Sequence, residues 1–337
     1  MKRFRMVYKL TSALAAALLA LSFAGCSGSP ASGDGSDTAE KKIGVIQYAV
    51  HSSLDNCYDG LIQGLEEAGY IEGENLTVDF QNAQGQTTTA DQLAQNMAAK
   101  NYDMIIGIAT PAAMSAYGAA RNTDIPVIFC AVSDPVGAGL VSSLDAPGGN
   151  CTGTSDLLNL EAQLQLIRAV QPDAKKIGIL YTTNEANSVS HLAEIKELAP
   201  EYGFEIVEQG VQSGADVPQA AAALAAKVDC INNFTDNTVV DNLVSVLAKA
   251  EEAGIPVYGS EIEQVKKGCI ASESLDYIAL GKETGRLAAQ VLDGANAGET
   301  PVVQVKDSTP VVNPDVFSSM NLTIPDAYAS AEKVTAE

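Results

Sequence analysis

The sequence predicts an α/β protein of two doubly wound parallel-sheet lobes joined by a hinge, with a ligand cleft between the lobes. Three observations carry this. From Lys41 onward, apolar runs of four to six residues alternate with longer amphipathic stretches, the pattern of strand-helix-strand units in parallel sheets. The series of elements runs twice. Residues also echo between the two series: Lys41-Lys42-Ile43-Gly44 answers Lys175-Lys176-Ile177-Gly178 at an offset of 134, Asp103-Met104-Ile105 answers Asp229-Cys230-Ile231 at 126, and Ile125-Pro126-Val127 answers Ile255-Pro256-Val257 at 130. Any one echo is worthless alone, whereas three in one order at nearly constant spacing argue for an internal repeat.

The first half reads as strand 43–48, helix 54–68, strand 76–82, helix 90–99, strand 104–109, helix 111–120 and strand 127–131. The second reads as strand 177–181, helix 189–198, strand 205–209, helix 217–226, strand 230–234, helix 239–250 and strand 257–259. Thr110-Pro111 offers a cap followed by proline in the first helical turn. Asp124-Ile125 before Pro126, and Gly254-Ile255 before Pro256, set a helix stop and a strand start at equivalent places. Segments 154–157 and 272–277 read as crossings between the lobes, with a helix at 280–292 on the first lobe and the tail beyond Pro301 returning to the second. The expected division is therefore 41–155 plus 277–298 for the first lobe and 156–276 plus 299–337 for the second.

Residues 1–26 read as an address. Lys2, Arg3, Arg5 and Lys9 precede an uncharged apolar stretch at 10–24, too short to span a bilayer comfortably and shaped like a signal peptide. Its end, Leu21-Ser22-Phe23-Ala24-Gly25-Cys26, resembles a lipobox, which makes Cys26 the expected lipidation site and lipid anchor. Residues 27–40 are rich in Gly, Ser and Asp and read as a flexible tether; ~13 residues of coil give an r.m.s. reach of roughly 20 Å.

The chain of 337 residues is long enough for two domains, and its 46% hydrophobic content against 18% charged excludes disorder of the whole. A net charge of −22 leaves no basic stripe for phosphate, so no nucleic-acid partner is expected. Beyond Cys26 the cysteines are Cys57, Cys130, Cys151, Cys230 and Cys269, with no CxxC spacing and only His51 and His191 as imidazoles. Neither a metal site nor a disulfide framework is expected, and the runs around Cys130 and Cys230 read as buried strands.

In open parallel sheets ligands bind beyond the carboxyl ends of the strands, where helix amino termini point free N–H groups outward. The segments there are 49–55, 82–86, 109–111 and 132–135 in the first half and 182–188, 233–237 and 259–261 in the second, nearly all filled by short hydroxyl, amide and carboxylate side chains. No GxGxxG, P-loop lysine or GxSxG elbow is present. His51, Ser52 and Asp55 stand too close in sequence for a triad, which gathers from separate elements. No catalytic residue and no cofactor is therefore assigned.

Several of these motifs together resemble the ABC-transporter substrate-binding lipoproteins of the tryptophan/tyrosine-type group. They are Ile43-Gly44-Val45-Ile46-Gln47 with His51 and Leu54-Asp55, Gly69-Tyr70-Ile71-Glu72-Gly73, Asn82-Ala83-Gln84-Gly85, Ala109-Thr110-Pro111-Ala112, Val132-Ser133-Asp134-Pro135 and Pro147-Gly148-Gly149-Asn150. The resemblance implies a type I periplasmic-binding-protein fold and a monomeric extracytoplasmic receptor. Its partners would be a small organic solute, an amino acid with aromatic ones among the candidates, and the permease and ATPase subunits of an importer. A ligand-sensing domain docking on a sensor kinase or chemoreceptor is the alternative. In such a site a carboxylate suits Thr110-Pro111 and Ser133, an ammonium suits Asp134, Asp236 or Glu261, and a ring suits Tyr48, Tyr181 or Phe234. The expected ligand-binding residues are His51, Leu54, Asp55, Gln84, Thr110, Ser133 and Asp134 in the first half. In the second they are Asn184, Ser188, Thr235, Asn237, Glu261 and Glu273.

Overall fold

The computed structural model describes residues 40–100, 102–305 and 307–335. The expected signal peptide, Cys26 and all but the end of the tether lie outside the described residues. No described helix is long and apolar enough to cross a membrane.

The first lobe begins β1 (Lys41–Gln47), α1 (Ser52–Glu67), β2 (Leu76–Asn82), α2 (Thr87–Ala99), β3 (Met104–Ile108), α3 (Thr110–Ala120), β4 (Val127–Cys130) and β5 (Cys151–Ser155). The chain crosses into α4 (Leu160–Val170), β6 (Lys176–Thr182), α5 (Ala186–Leu198), β7 (Glu205–Val211), α6 (Val217–Ala225), β8 (Cys230–Asn232), α7 (Asn237–Asp241), α8 (Leu243–Ala253), β9 (Val257–Tyr258) and α9 (Ile262–Lys266). It ends with β10 (Ala271–Ser274), α10 (Tyr277–Leu292), β11 (Val303–Gln304), β12 (Thr309–Val312), α11 (Pro314–Ser319) and β13 (Glu332–Lys333). The sheet orders are β2-β1-β3-β4-β5-β11 and β7-β6-β8-β9, with a small third sheet β10-β12-β13. The two large sheets are parallel throughout, and their inner strands β1, β3, β4 and β6 are the near-continuous apolar runs expected of strands covered on both faces.

The sequence echoes have physical causes. The Asp103 carboxylate accepts from the Lys42 N–H at 2.8 Å, and Asp229 accepts from the N–H groups of Lys175 and Lys176 at 2.7 and 2.8 Å, so each aspartate tethers the start of its lobe's central strand. A Cβ on Gly44 would crowd Met97 of α2, and one on Gly178 would crowd Leu224 of α6. Glycine at this register lets the second helix of each repeat lie close on its sheet.

A second glycine set lies between two helices. Gly60 and Gly64 of α1 face Gly281 and Gly285 of α10, and a Cβ on any of them would collide with backbone of the other helix. This seam ties the chain's late return to the helix whose amino terminus opens on the cleft.

Three differences from the expected layout stand out. The helix expected over 239–250 breaks at Asn242 into α7 and α8. The crossing segment at 154–157 is half strand: Thr154 and Ser155 end β5 and pair with Val303 and Gln304, so β11 extends the first lobe's sheet although the tail was expected on the second. The segment at 272–277 likewise begins as β10, antiparallel to β12. Cys57, Cys130, Cys151, Cys230 and Cys269 are free and buried.

Candidate ligand-binding site

The strand ends of the two lobes meet at a cavity. From the first lobe it is lined by His51, Ser53 and Leu54 at the start of α1, Ala109 and Thr110 at the start of α3, and Ala131 and Ser133 after β4. Asn187 of α5, Thr235, Asn237 and Val240 around α7, and Gln264 of α9 line it from the second. Asp156 and Tyr277, at the two hinge crossings, close the floor. The cavity is narrow, about 20 Å³, because side chains of the two lobes touch around it. His51 Nε2 lies 3.4 Å from Asn237 Oδ1, Ser190 donates to Asp134 at 2.8 Å, and Asn56 donates to Glu263 at 3.4 Å.

The first lobe's wall is strained. Ala109 has φ 76° and ψ 153°, a region reserved almost entirely for glycine, and Ala131 has φ 56°. Such residues cost about 1–3 kcal/mol each and persist where the surroundings hold them, typically at binding sites. Neither α1, entered through His51, nor α3, entered through Ala109, has a side-chain cap; Pro111 carries no N–H, so the donors left at the cleft are those of Ser52 and Ser53 in α1 and of Thr110 and Ala112 in α3.

Four lining atoms are buried and lack any hydrogen-bond partner: His51 Nδ1, Thr110 Oγ1, Asn187 Oδ1 and Thr235 Oγ1. Buried polar groups are nearly always satisfied, so four orphans around one cavity mark a polar site. Their roles can be assigned. Asn237 Nδ2 donates to Glu185 at 2.7 Å, which turns Asn237 Oδ1 toward His51. Burial holds His51 neutral, its pKa down at about 4, so Nε2 carries the proton toward Asn237 and Nδ1 is left an acceptor. Asn187 Oδ1 and Asp156 are acceptors too. The cavity therefore favours a ligand rich in N–H or O–H donors.

Six expected residues meet in this cavity: His51, Leu54, Thr110, Ser133, Thr235 and Asn237. The others lie elsewhere. Asp55 accepts from Gln47 at 2.7 Å beside α1. Gln84 and Asn184 stand with Tyr48 in a wider interlobe groove of about 510 Å³. Ser188 donates to Asp236 at 2.7 Å behind the wall, and Asp134 is held by Ser190. Glu261 caps α9 through the N–H groups of Glu263 and Gln264, at 2.7 and 3.0 Å. Glu273 accepts from Ser308, which in turn accepts from Asn159, lacing the hinge.

The ring candidates also sit outside. Tyr48 is in the outer groove, Tyr181 packs half-buried on β6, and Phe234 lies in the core against His191 at 5.4 Å. Tyr277 is the aromatic side chain that lines the cavity. The ammonium candidates Asp134, Asp236 and Glu261 are engaged by protein donors and do not line the cavity. Asp156 is the carboxylate that reaches it. Its signal in the sequence was a lone acid at a crossing segment directly after the hydroxyl-rich strand Cys151–Ser155.

A family model described as ABC transporter substrate binding protein matches residues 42–335. The chain belongs to that family. This substrate-binding protein is 39% identical over 321 residues to a tyrosine-binding protein of Clostridioides difficile strain R20291, covering 93% of this chain and 92% of the relative. Among solved structures it is similar to an ABC domain from Streptococcus pneumonia in complex with L-Trp, with TM-score 0.85 and 35% identity over 88% of this chain and all of that one. It is also similar to a ligand-free, open substrate-binding protein with adhesive properties from Clostridium difficile, at TM-score 0.68 and 36% identity over the same shares. A Bacillus halodurans protein with bound myo-inositol, 16% identical at TM-score 0.62 over 85% of this chain and 99% of that one, shares the fold. The substrate-binding protein thus has the two-lobed type I periplasmic-binding-protein fold.

Proposed function

We propose that this chain is the extracytoplasmic receptor of an ABC importer, anchored through lipid on Cys26, which closes as a monomer on one amino acid and presents it to the permease and its ATPase. It binds without turning its ligand over. The observation that carries the reading is the convergence, from both lobes, of four unpartnered buried polar atoms on one cavity beneath strained strand ends. At nearly equal identity the fold fits an L-Trp complex better than a ligand-free open structure, which supports a closed arrangement of the lobes. Closure is driven by the ligand's preference for that arrangement.

The acceptors described above favour a side chain that itself donates a hydrogen bond, so tyrosine and tryptophan are preferred to phenylalanine. Titration calorimetry and thermal shift against the amino acids test this. A ligand at 100 times its dissociation constant adds about 2.7 kcal/mol of stability. Mass spectrometry should recover it unchanged. Absence of any amino acid that raises the melting temperature would remove the proposal.

A further inference from the structure

We infer that Asp156 is the counter-ion of the ligand's α-ammonium, an inference that rests on the amino-acid reading above. Asp156 leaves β5 at the first hinge crossing and is 3% exposed. Its Oδ1 accepts from Ser133 Oγ at 2.9 Å and its Oδ2 from Tyr277 OH at 2.8 Å, so two neutral hydroxyls from different elements fix its plane. Each oxygen keeps a second lone-pair direction. The carboxylate borders the cavity, and no Lys or Arg lines that cavity. A buried carboxylate with no cation is costly, and an incoming ammonium supplies both the charge and the missing donors. Burial raises its pKa, and the ammonium would draw it back down.

The other end of the ligand fits the same geometry. Thr110 is 2% exposed, its Oγ1 is unpartnered, and it begins α3, whose first N–H groups have no side-chain cap. An α-carboxylate there and an α-ammonium on Asp156 would span the cavity between strand ends β3 and β5.

The test uses the full chain with L-tyrosine and L-tryptophan, and with 3-(4-hydroxyphenyl)propionate and indole-3-propionate, which lack the amino group. In the wild type, each amino acid should bind at least 100-fold more tightly than its deaminated analogue. In Asp156→Asn that ratio should collapse to below 10, with the analogue's own affinity kept or improved. A Ser133→Ala variant, which loosens the carboxylate and leaves its charge, should lose less than Asp156→Asn. Equal binding of amino acid and analogue by the wild type overturns the inference, as does an undiminished ratio in Asp156→Asn. A wild type that binds the deaminated acids and amino acids alike leaves the receptor reading standing; one that binds none of the four overturns the inference, and the receptor reading falls with it only if no other amino acid raises the melting temperature.

Discussion

Both lobes bring their strands to the same cleft in the same order, and they differ in where carboxylates cap the helix amino termini there. In the first lobe α1 and α3 enter without side-chain caps, through a histidine and a strained alanine. In the second, carboxylates take the donors: Glu185 accepts from the N–H groups of Asn237 and Thr238, Asp236 accepts from that of Val239, and Glu261 caps α9. At the cleft these caps are confined to α7 and α9: α5, entered through Glu185, has no side-chain cap and opens on the cavity through Asn187. One topology thus places carboxylate caps on the cleft ends of α7 and α9 and none on those of α1 and α3.

The largest test of this contrast removes a carboxylate from the second lobe. Asp236 accepts from the Thr182 N–H and Oγ, Ser188 Oγ and Val239 N–H, all within 2.6–2.9 Å. Asp236→Ala leaves these donors buried and should cost about 3–5 kcal/mol in urea unfolding. A cost below about 1 kcal/mol would mean that the second lobe's caps are dispensable.

Next is the seam that carries α1. Gly64→Leu forces a side chain against the Lys282 carbonyl and should cost about 2–3 kcal/mol. It should also weaken ligand binding, because α1 presents His51 and Leu54.

A third test reads pH. Burial raises Glu185 and Glu261 from 4.5 to about 7, so the folded state binds protons that the unfolded state has lost, and stability from these groups falls as pH rises across that window. Burial lowers His51 and His191 from 6.5 to about 4, so the unfolded state holds the extra protons and stability from them rises between pH 4 and 6.5. The two trends oppose each other between about pH 4.5 and 6.5. His191 has no partner on either nitrogen, so His191→Leu should raise stability by roughly 1 kcal/mol. The gain should be greater at pH 5 than at pH 7.5, leaving a stability that declines more steeply with pH. A pH-independent gain would separate the packing effect from the titration.

The smallest effect belongs to the first lobe's free hydroxyl. Thr110→Val keeps shape and removes Oγ1, so tyrosine affinity should fall roughly 5- to 10-fold by calorimetry with the melting temperature of the free protein unchanged or raised.

Much of the fold was legible because parallel strands buried on both faces write long apolar runs, and because the repeat places Asp103 with Asp229 and Gly44 with Gly178 under the same constraint. The site was legible in part. His51, Thr110, Ser133, Thr235 and Asn237 lie directly after strands, where topology alone makes them candidates. Asp134, Asp236 and Glu261 sit in equally suggestive positions, and a carboxylate's engagement by protein donors leaves no trace in its neighbours along the chain.

By itself the sequence determined two repeated sheets, their strand ends and the polar character of the loops between them, since these follow from local periodicity and turn chemistry. Only the tertiary structure decided which polar groups are spent on the protein and which remain for a ligand. That depends on contacts such as Tyr277 to Asp156 or Glu185 to Asn237, separated by 121 and 52 residues. Hydrogen-bond capacity is finite, and its allocation is settled only when distant segments meet.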